Sequence, residues 1–145
     1  MLSVFLGGTC GKSTWREELI KMFSDKVSYF NPIVKEWNEE CQQIEDMHKA
    51  NDDIFLFVIT PETDNAYTIS EVTALSISRP ESTIVCVMDN VNGEKFQKHE
   101  LLAWKKIVSN LKKLHRAHIC KDLVSVANEI NRRAQKKSEI EEALC

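Results

Sequence analysis

The chain has 145 residues, of which 43% are hydrophobic and 28% charged, with a formal net charge of −3. That is enough for one domain with a full core. Charges of both signs are interspersed, which excludes the broad basic footprint that a nucleic acid polymer requires. The opening MLSVFLGG carries no basic leader and is too short for a signal h-region or a spanning helix. No membrane partner is therefore expected, and the expected location is cytoplasmic.

The five cysteines, Cys10, Cys41, Cys86, Cys120 and Cys145, are widely spread and form no C-x-x-C pair. A scattered, odd-numbered set does not build a disulfide framework in a reducing compartment, and it offers no clustered zinc ligands. The four histidines make no i, i+4 pair of the metalloprotease type. Neither a metal nor a cofactor is expected.

Ser3 to Leu6 reads as a short apolar strand running into Gly7-Gly8-Thr9-Cys10-Gly11-Lys12-Ser13-Thr14. A helix is predicted next, with Thr14 and Glu17 at capping-box spacing and Trp15, Leu19, Met22 and Phe23 on one face. Val27 to Phe30 is a second strand, closed by Asn31-Pro32. From Val34 a second helix is expected to carry Trp37, Cys41, Ile44 and Met47 inward. Ile54 to Ile59 is apolar without alternation, the pattern of a strand buried on both faces. Its helix is predicted from Thr68 to Ser78, before Pro80. Thr83 to Met88 is a fourth buried strand, followed by a loop from Asp89 to Gly93. The next helix places Leu101, Trp104, Val108 and Leu111 on one face. Ala117 to Cys120 is a fifth strand, and the last helix uses Leu123, Val126, Ala127, Ile130 and Ala134. The charged end of the chain is either a helical extension or frayed.

Five strands alternating with five helices predict a three-layer α/β sandwich with a five-stranded parallel sheet. Residues 1–137 are expected to form a single domain, with 138–145 as a charged tail. For this strand count the flavodoxin-like order 2-1-3-4-5 is favoured, which puts the topological switch point between the first and third strands. The loops there, Gly7 to Thr14 and Pro61 to Thr68, are also the most polar and least regular connections. Fold logic and composition select the same crevice.

Gly11-Lys12-Ser13 matches the end of a phosphate loop, but the full pattern needs a glycine where Leu6 stands. What survives is a helix N-terminus with Gly7, Gly8, Thr9, Lys12, Ser13, Thr14 and Arg16 nearby, suited to one phosphate or a sugar hydroxyl. Against it stands a plain turn with a solvated Lys12. Trp15 has two readings, a stacking surface for a base or a core residue on the apolar face of its helix. Asp89 and Asn90 end the fourth strand at the same sheet edge, where they line a sugar pocket or only shape a turn. Trp37 and Trp104 fall on helical apolar stripes and are assigned to the core. Asp52 and Asp53 begin the third strand, so they belong at the opposite edge as solvated strand-entry residues. Thr68-Ile69-Ser70-Glu71 has capping-box spacing, which accounts for Glu71 by itself. Its place at the crevice, with Asp64 and Tyr67 in the same loop, points to chemistry instead.

The segments VFLGGTCGKSTWREELI, YFNPIVKEWNEEC and DIFLFVITPETDNAYTISEVT resemble the nucleoside 2-deoxyribosyltransferase-like proteins. Their superfamily also includes deoxynucleoside-monophosphate N-glycosidases. The resemblance runs from about Val4 to Met88 and is most specific at the GGT–STWR block, the Phe30-Asn31-Pro32 corner and the ITP–SE block. It implies the same five-stranded α/β sandwich. It also implies that a glutamate at the start of the helix after the third strand attacks the anomeric carbon of the sugar, and Glu71 matches that position. The aspartate that contacts the nucleobase has its nearest equivalent in Asp64, one residue further away than usual. Two features depart from the family. Phe5 stands where the first strand often supplies a tyrosine that orients the nucleophile, and Ala66, Tyr67 and Thr68 replace the glycines before the glutamate. Tyr67 is the candidate for the orienting role.

The expected activity is cleavage or transfer of the N-glycosidic bond of a 2-deoxynucleoside or its 5′-monophosphate, by a nucleophilic carboxylate and an oxocarbenium-like transition state. The resemblance implies a nucleoside or nucleotide partner and a homodimer or larger homo-oligomer that completes the site. A non-catalytic nucleotide-binding module of the same fold is the rival, favoured by the missing tyrosine. An NAD-type glycohydrolase is a third reading.

Overall fold

A computed structural model describes residues 1–145. Its sheet contains β1 (Leu2–Gly8), β2 (Val27–Phe30), β3 (Ile54–Ile59), β4 (Thr83–Val87) and β7 (His118–Cys120). The order is β2-β1-β3-β4-β7 and every pairing is parallel. This is the predicted flavodoxin-like order, with β7 as its fifth strand. A small antiparallel hairpin, β5 (Asn90–Val91) and β6 (Glu94–Lys95), lies outside the sheet. Sequence reasoning read that hairpin as a loop. Asn92 (φ 52°) and Gly93 (φ 81°) form its turn, and the Asn-Gly dipeptide is the signal that marks it.

All six residues of β3 are buried, as an apolar run without alternation requires. Even positions of the central strands, among them Val4, Leu6, Leu56, Val58, Ile84 and Cys86, pack against α1 (Trp15–Ile20) and α5 (Leu123–Ala143). Odd positions, Phe5, Phe55, Phe57, Ile59 and Val85, pack against α3 (Ala66–Ser78) and α4 (Lys98–His115). The period-two alternation of side chains across a strand produces these two cores. The segment expected as a tail from 138 is the end of α5, which stays helical to Ala143.

Two helix starts differ from expectation, and a third is where predicted but lacks its predicted cap. Helix α1 begins at Trp15, and the Thr14 hydroxyl makes no cap bond; it reaches Glu18 Oε1 at 3.4 Å, so there is no Thr14–Glu17 capping box. Helix α2 covers Glu39–Asn51, five residues later than predicted, because Asn38 caps it by accepting the Cys41 N–H. Helix α3 begins at Ala66, two residues before Thr68. The Asp64 carboxylate accepts the Ala66 N–H at 2.9 Å and fixes that start.

Helix α2 is the largest departure. None of its residues is buried, and Ile44, Met47 and the preceding Trp37 are exposed rather than packed inward. The face turned to the protein is the polar one: Gln42, Glu45, His48 and Lys49 are half-buried. His48 stacks on Phe30 with ring centroids 3.9 Å apart, and its Nδ1 meets Asp52 Oδ1 at 3.0 Å. An apolar stripe normally faces a core, and here it faces out.

Asp52 and Asp53 do lie at the N-terminal edge of the sheet, away from the crevice, but they are not simply solvated. Asp52 is buried against His48. Asp53 accepts the Ser3 N–H and hydroxyl and pairs with Lys137 at 2.9 Å, fastening α5 to β1.

Candidate active site

The C-terminal ends of β1 and β3 lie side by side, with Gly7 opposite Phe57 and Gly8 opposite Val58. A Cβ on Gly8 would stand 2.0 Å from the Val58 carbonyl oxygen, and its φ is +116°. Only glycine permits this approach. The chain then turns into the loop before α1, while β3 turns at Thr60 into the loop before α3.

Buried polar groups join those two loops. Thr9 Oγ1 donates to Asn65 Oδ1 at 2.7 Å and accepts the Thr60 N–H at 2.8 Å. The Asn65 amide donates to the carbonyls of Thr60 and Thr63. Arg16, only 2% exposed, reaches back beneath the glycines and donates to the carbonyl oxygens of Leu6 (3.1 Å) and Thr9 (2.8 Å). Burial lowers its pKa, opposed by the neighbouring Cys10. Trp15 lies under the guanidinium, 4.3 Å from it, and donates its indole N–H to Thr9.

A cleft of about 520 Å³ opens above this floor. Gly7 and Gly8 line it from the end of β1, Arg16 from α1, Asp64 from the second loop, Tyr67 and Glu71 from α3, and Trp37 and Glu45 from α2 and its approach. The structure therefore brings together the residues predicted on α3 with part of the glycine-rich loop. Other predicted residues lie elsewhere. Trp15, 1% exposed, has no free face for a base and belongs to the core. Thr9 is buried in the loop junction. Lys12 pairs with Glu94 of the hairpin at 2.8 Å, Ser13 donates to Glu62 at 2.7 Å, and Thr14 turns to Glu18. Asp89 lines a separate cleft beside Trp104, and Asn90 starts the hairpin.

Glu71 sits in the second turn of α3 and caps nothing, because the helix has already started at Ala66. The capping-box explanation of this glutamate is removed. Its carboxylate is 2.7 Å from Lys49 Nζ, and Lys49 also meets Glu45 at 3.0 Å. The ammonium lies 5.7 Å from the ring centroids of both Phe5 and Tyr67. Burial pulls the Lys49 pKa down, but the two carboxylates outweigh it and raise it above the ordinary lysine value. Sequence reasoning missed Lys49, Glu45 and Asn65. Lys49 and Glu45 are four residues apart on one helix face, a legible pair, but nothing local shows that the pair faces Glu71. Trp37, whose helical spacing predicts a core position, lines the cleft instead.

Asp64 is exposed at the rim. Tyr67, 68% exposed, covers Lys49 with its ring. No group of three His, Cys, Asp or Glu side chains is placed to hold a metal ion. No helix is long and apolar enough to cross a membrane.

No curated protein matches the chain. A family model described as nucleoside 2-deoxyribosyltransferase like matches residues 1–91, which contain both loops, α2 and the whole lining of the cleft. The chain belongs to the nucleoside 2-deoxyribosyltransferase-like family.

Proposed function

We propose that the protein cleaves or transfers the N-glycosidic bond of a 2-deoxynucleoside or its 5′-monophosphate, with Glu71 as nucleophile. The observation that supports this reading is the position of Glu71. It lies on the wall of the switch-point cleft, ion-paired and without a capping role.

In the proposed reaction a Glu71 oxygen forms a bond to the anomeric carbon as the bond from that carbon to the base nitrogen breaks. The electron pair leaves with the base, which takes a proton from Asp64 at the rim. An acceptor base or water then attacks the same carbon, gives its proton to the Asp64 carboxylate and returns Glu71 as a carboxylate, giving transfer or hydrolysis respectively. Gly7, Gly8 and the loop ordered by Arg16 form the floor against which the sugar would lie.

The protein is proposed to act in the cytoplasm, where its five free cysteines stay reduced. A homodimer or larger homo-oligomer is proposed from the outward apolar face at the cleft mouth: Ile33, Val34, Trp37, Ile44 and Met47 are all exposed. A second subunit on that face would also wall the cleft.

The test is release of free base from deoxynucleosides, deoxynucleoside 5′-monophosphates and NAD, each with and without an acceptor base, followed by chromatography. Glu71→Ala is expected to abolish release while keeping the wild-type circular dichroism spectrum. An unaffected variant removes Glu71 from the chemistry. One observation favours a non-catalytic nucleotide-binding module: Phe5 packs among Phe30, Phe55 and Phe57 and brings no hydroxyl to the nucleophile. Tight nucleotide binding in calorimetry with no turnover would establish that rival.

A further inference from the structure

Helix α2 is built against its own amphipathicity. It leaves Ile44 and Met47 in solvent while Glu45, His48 and Lys49 turn inward. The apolar stripe is turned away from both cores of its own chain. Such an arrangement is retained where the inward residues serve a purpose, because breaks in sequence–structure consistency concentrate at functional sites. His48 stacks on Phe30 and meets Asp52, whereas Glu45 holds Lys49 and Lys49 reaches the carboxylate of Glu71.

Lys49 is held from four directions. Glu45, one turn earlier on α2, fixes the ammonium at 3.0 Å in the favourable Glu-before-Lys orientation. The rings of Phe5 and Tyr67 flank it at equal distances. Glu71 Oε2 completes the set at 2.7 Å, with both side chains of that pair mostly buried. The charged or titratable side chains around Glu71 are thus Lys49 and Glu45 from α2, Tyr67 from α3, Asp64 from the preceding loop, and Cys10 and Arg16 from the first loop and α1. Arg16 is engaged with backbone carbonyls and Tyr67 donates to nothing in the chain, so Lys49 is the cation that fixes the carboxylate.

We infer that Lys49 is the positioning residue of Glu71, an inference that rests on the reading of Glu71 as nucleophile. Held by Glu45 independently of Glu71, the ammonium anchors one carboxylate oxygen and leaves the second oxygen for the sugar carbon. Phe5, without a hydroxyl, contributes a ring face to the cation. The orienting group comes from α2 and is ionic.

The experiment compares Lys49→Met and Lys49→Arg in the base-release assay, together with a thermal-unfolding double-mutant cycle of Lys49→Met and Glu71→Gln. Charge-assisted contacts are worth roughly tenfold to a hundredfold in rate when they act in the transition state. Lys49→Met is expected to lower kcat within that range with KM changed by less than about threefold, and Lys49→Arg to restore most of the loss. The two substitutions are expected to be non-additive in Tm. A Lys49→Met enzyme with wild-type kcat, an arginine variant no better than the methionine one, or additive Tm changes would each overturn the inference. If the wild-type protein releases no base from any donor, the nucleophile reading fails. The cycle then decides alone whether Lys49 fixes the carboxylate, non-additivity supporting it and additivity overturning it.

Discussion

Thr9 Oγ1 donates to Asn65 Oδ1 at 2.7 Å, between two side chains that are both buried and come from different crossover loops. The same amide of Asn65 holds the carbonyls of Thr60 and Thr63. The relative position of the glycine floor and of α3, and hence of Gly7 and Glu71, depends on this one contact region. Asn65→Leu would keep the branched shape but remove the acceptor of the short Thr9 hydroxyl bond and the donor to the Thr60 and Thr63 carbonyls. The expected destabilisation is about 2–4 kcal/mol, read as a lower urea midpoint with an unchanged m-value. Any catalytic activity should fall further than stability alone explains, because both loops lose their common reference.

Two glycines with positive φ should respond very differently to alanine. At Gly8 a new Cβ would meet the Val58 backbone oxygen at 2.0 Å, so β1 and β3 would have to separate. At Gly93 nothing lies within 4 Å, and only the φ of +81° is unfavourable. Gly93→Ala is expected to cost about 1 kcal/mol. Gly8→Ala should prevent recovery of folded protein, measured as soluble yield and near-ultraviolet circular dichroism.

The sheet order was legible because β3, with Ile54 to Ile59 apolar on both faces, can only be central, and short α/β connections allow few arrangements around it. The crevice was legible for the same reason, since strand order alone brings the Gly7 and Pro61 loops together. The role of α2 was not. Trp37, Cys41, Ile44 and Met47 have helical spacing, and an apolar stripe says nothing of which surface will cover it. The Thr68-x-x-Glu71 pattern misled in the opposite way. A capping box exists only where the helix begins, and Asp64 and Asn65 begin this one earlier. Lys49 opposite Glu71 is a tertiary contact with no local trace.

Acid stability should report the cluster at Glu129 on α5. Arg132 binds this carboxylate through two nitrogens, burial opposes it, and Arg133 adds a third contact at 2.7 Å; together they hold the pKa at about 2, against an ordinary 4.5. A carboxylate whose pKa is depressed in the folded state stabilises fully above its unfolded value and loses that contribution as pH falls. The stabilisation is therefore intact above about pH 4.5 and lost progressively down to about pH 2. Because Arg132 is mostly exposed, solvent screening reduces it to on the order of 1 kcal/mol. Urea unfolding between pH 6 and 2.5 should show a smaller drop for Glu129→Gln than for wild type. Equal slopes would show that the pair is screened out.

Trp37 provides the readout for both the cleft and the apolar face beside it. It is 61% exposed at the cleft mouth, whereas Trp15 and Trp104 are 1% and 5% exposed. In dilute protein, acrylamide should therefore quench one tryptophan class readily and leave two protected, and Trp37→Phe should remove the accessible class. An exposed indole among Ile33, Val34, Ile44 and Met47 is the kind of anchor that carries association energy. Raising the protein concentration is expected to shield it as subunits associate, and sedimentation should show Trp37→Ala shifted toward monomer. A deoxynucleoside 5′-monophosphate in the cleft should shield it even at high dilution. If quenching is insensitive to protein concentration, the face around Trp37 is not the subunit contact; if it is insensitive to nucleotide, the ligand does not reach the cleft mouth.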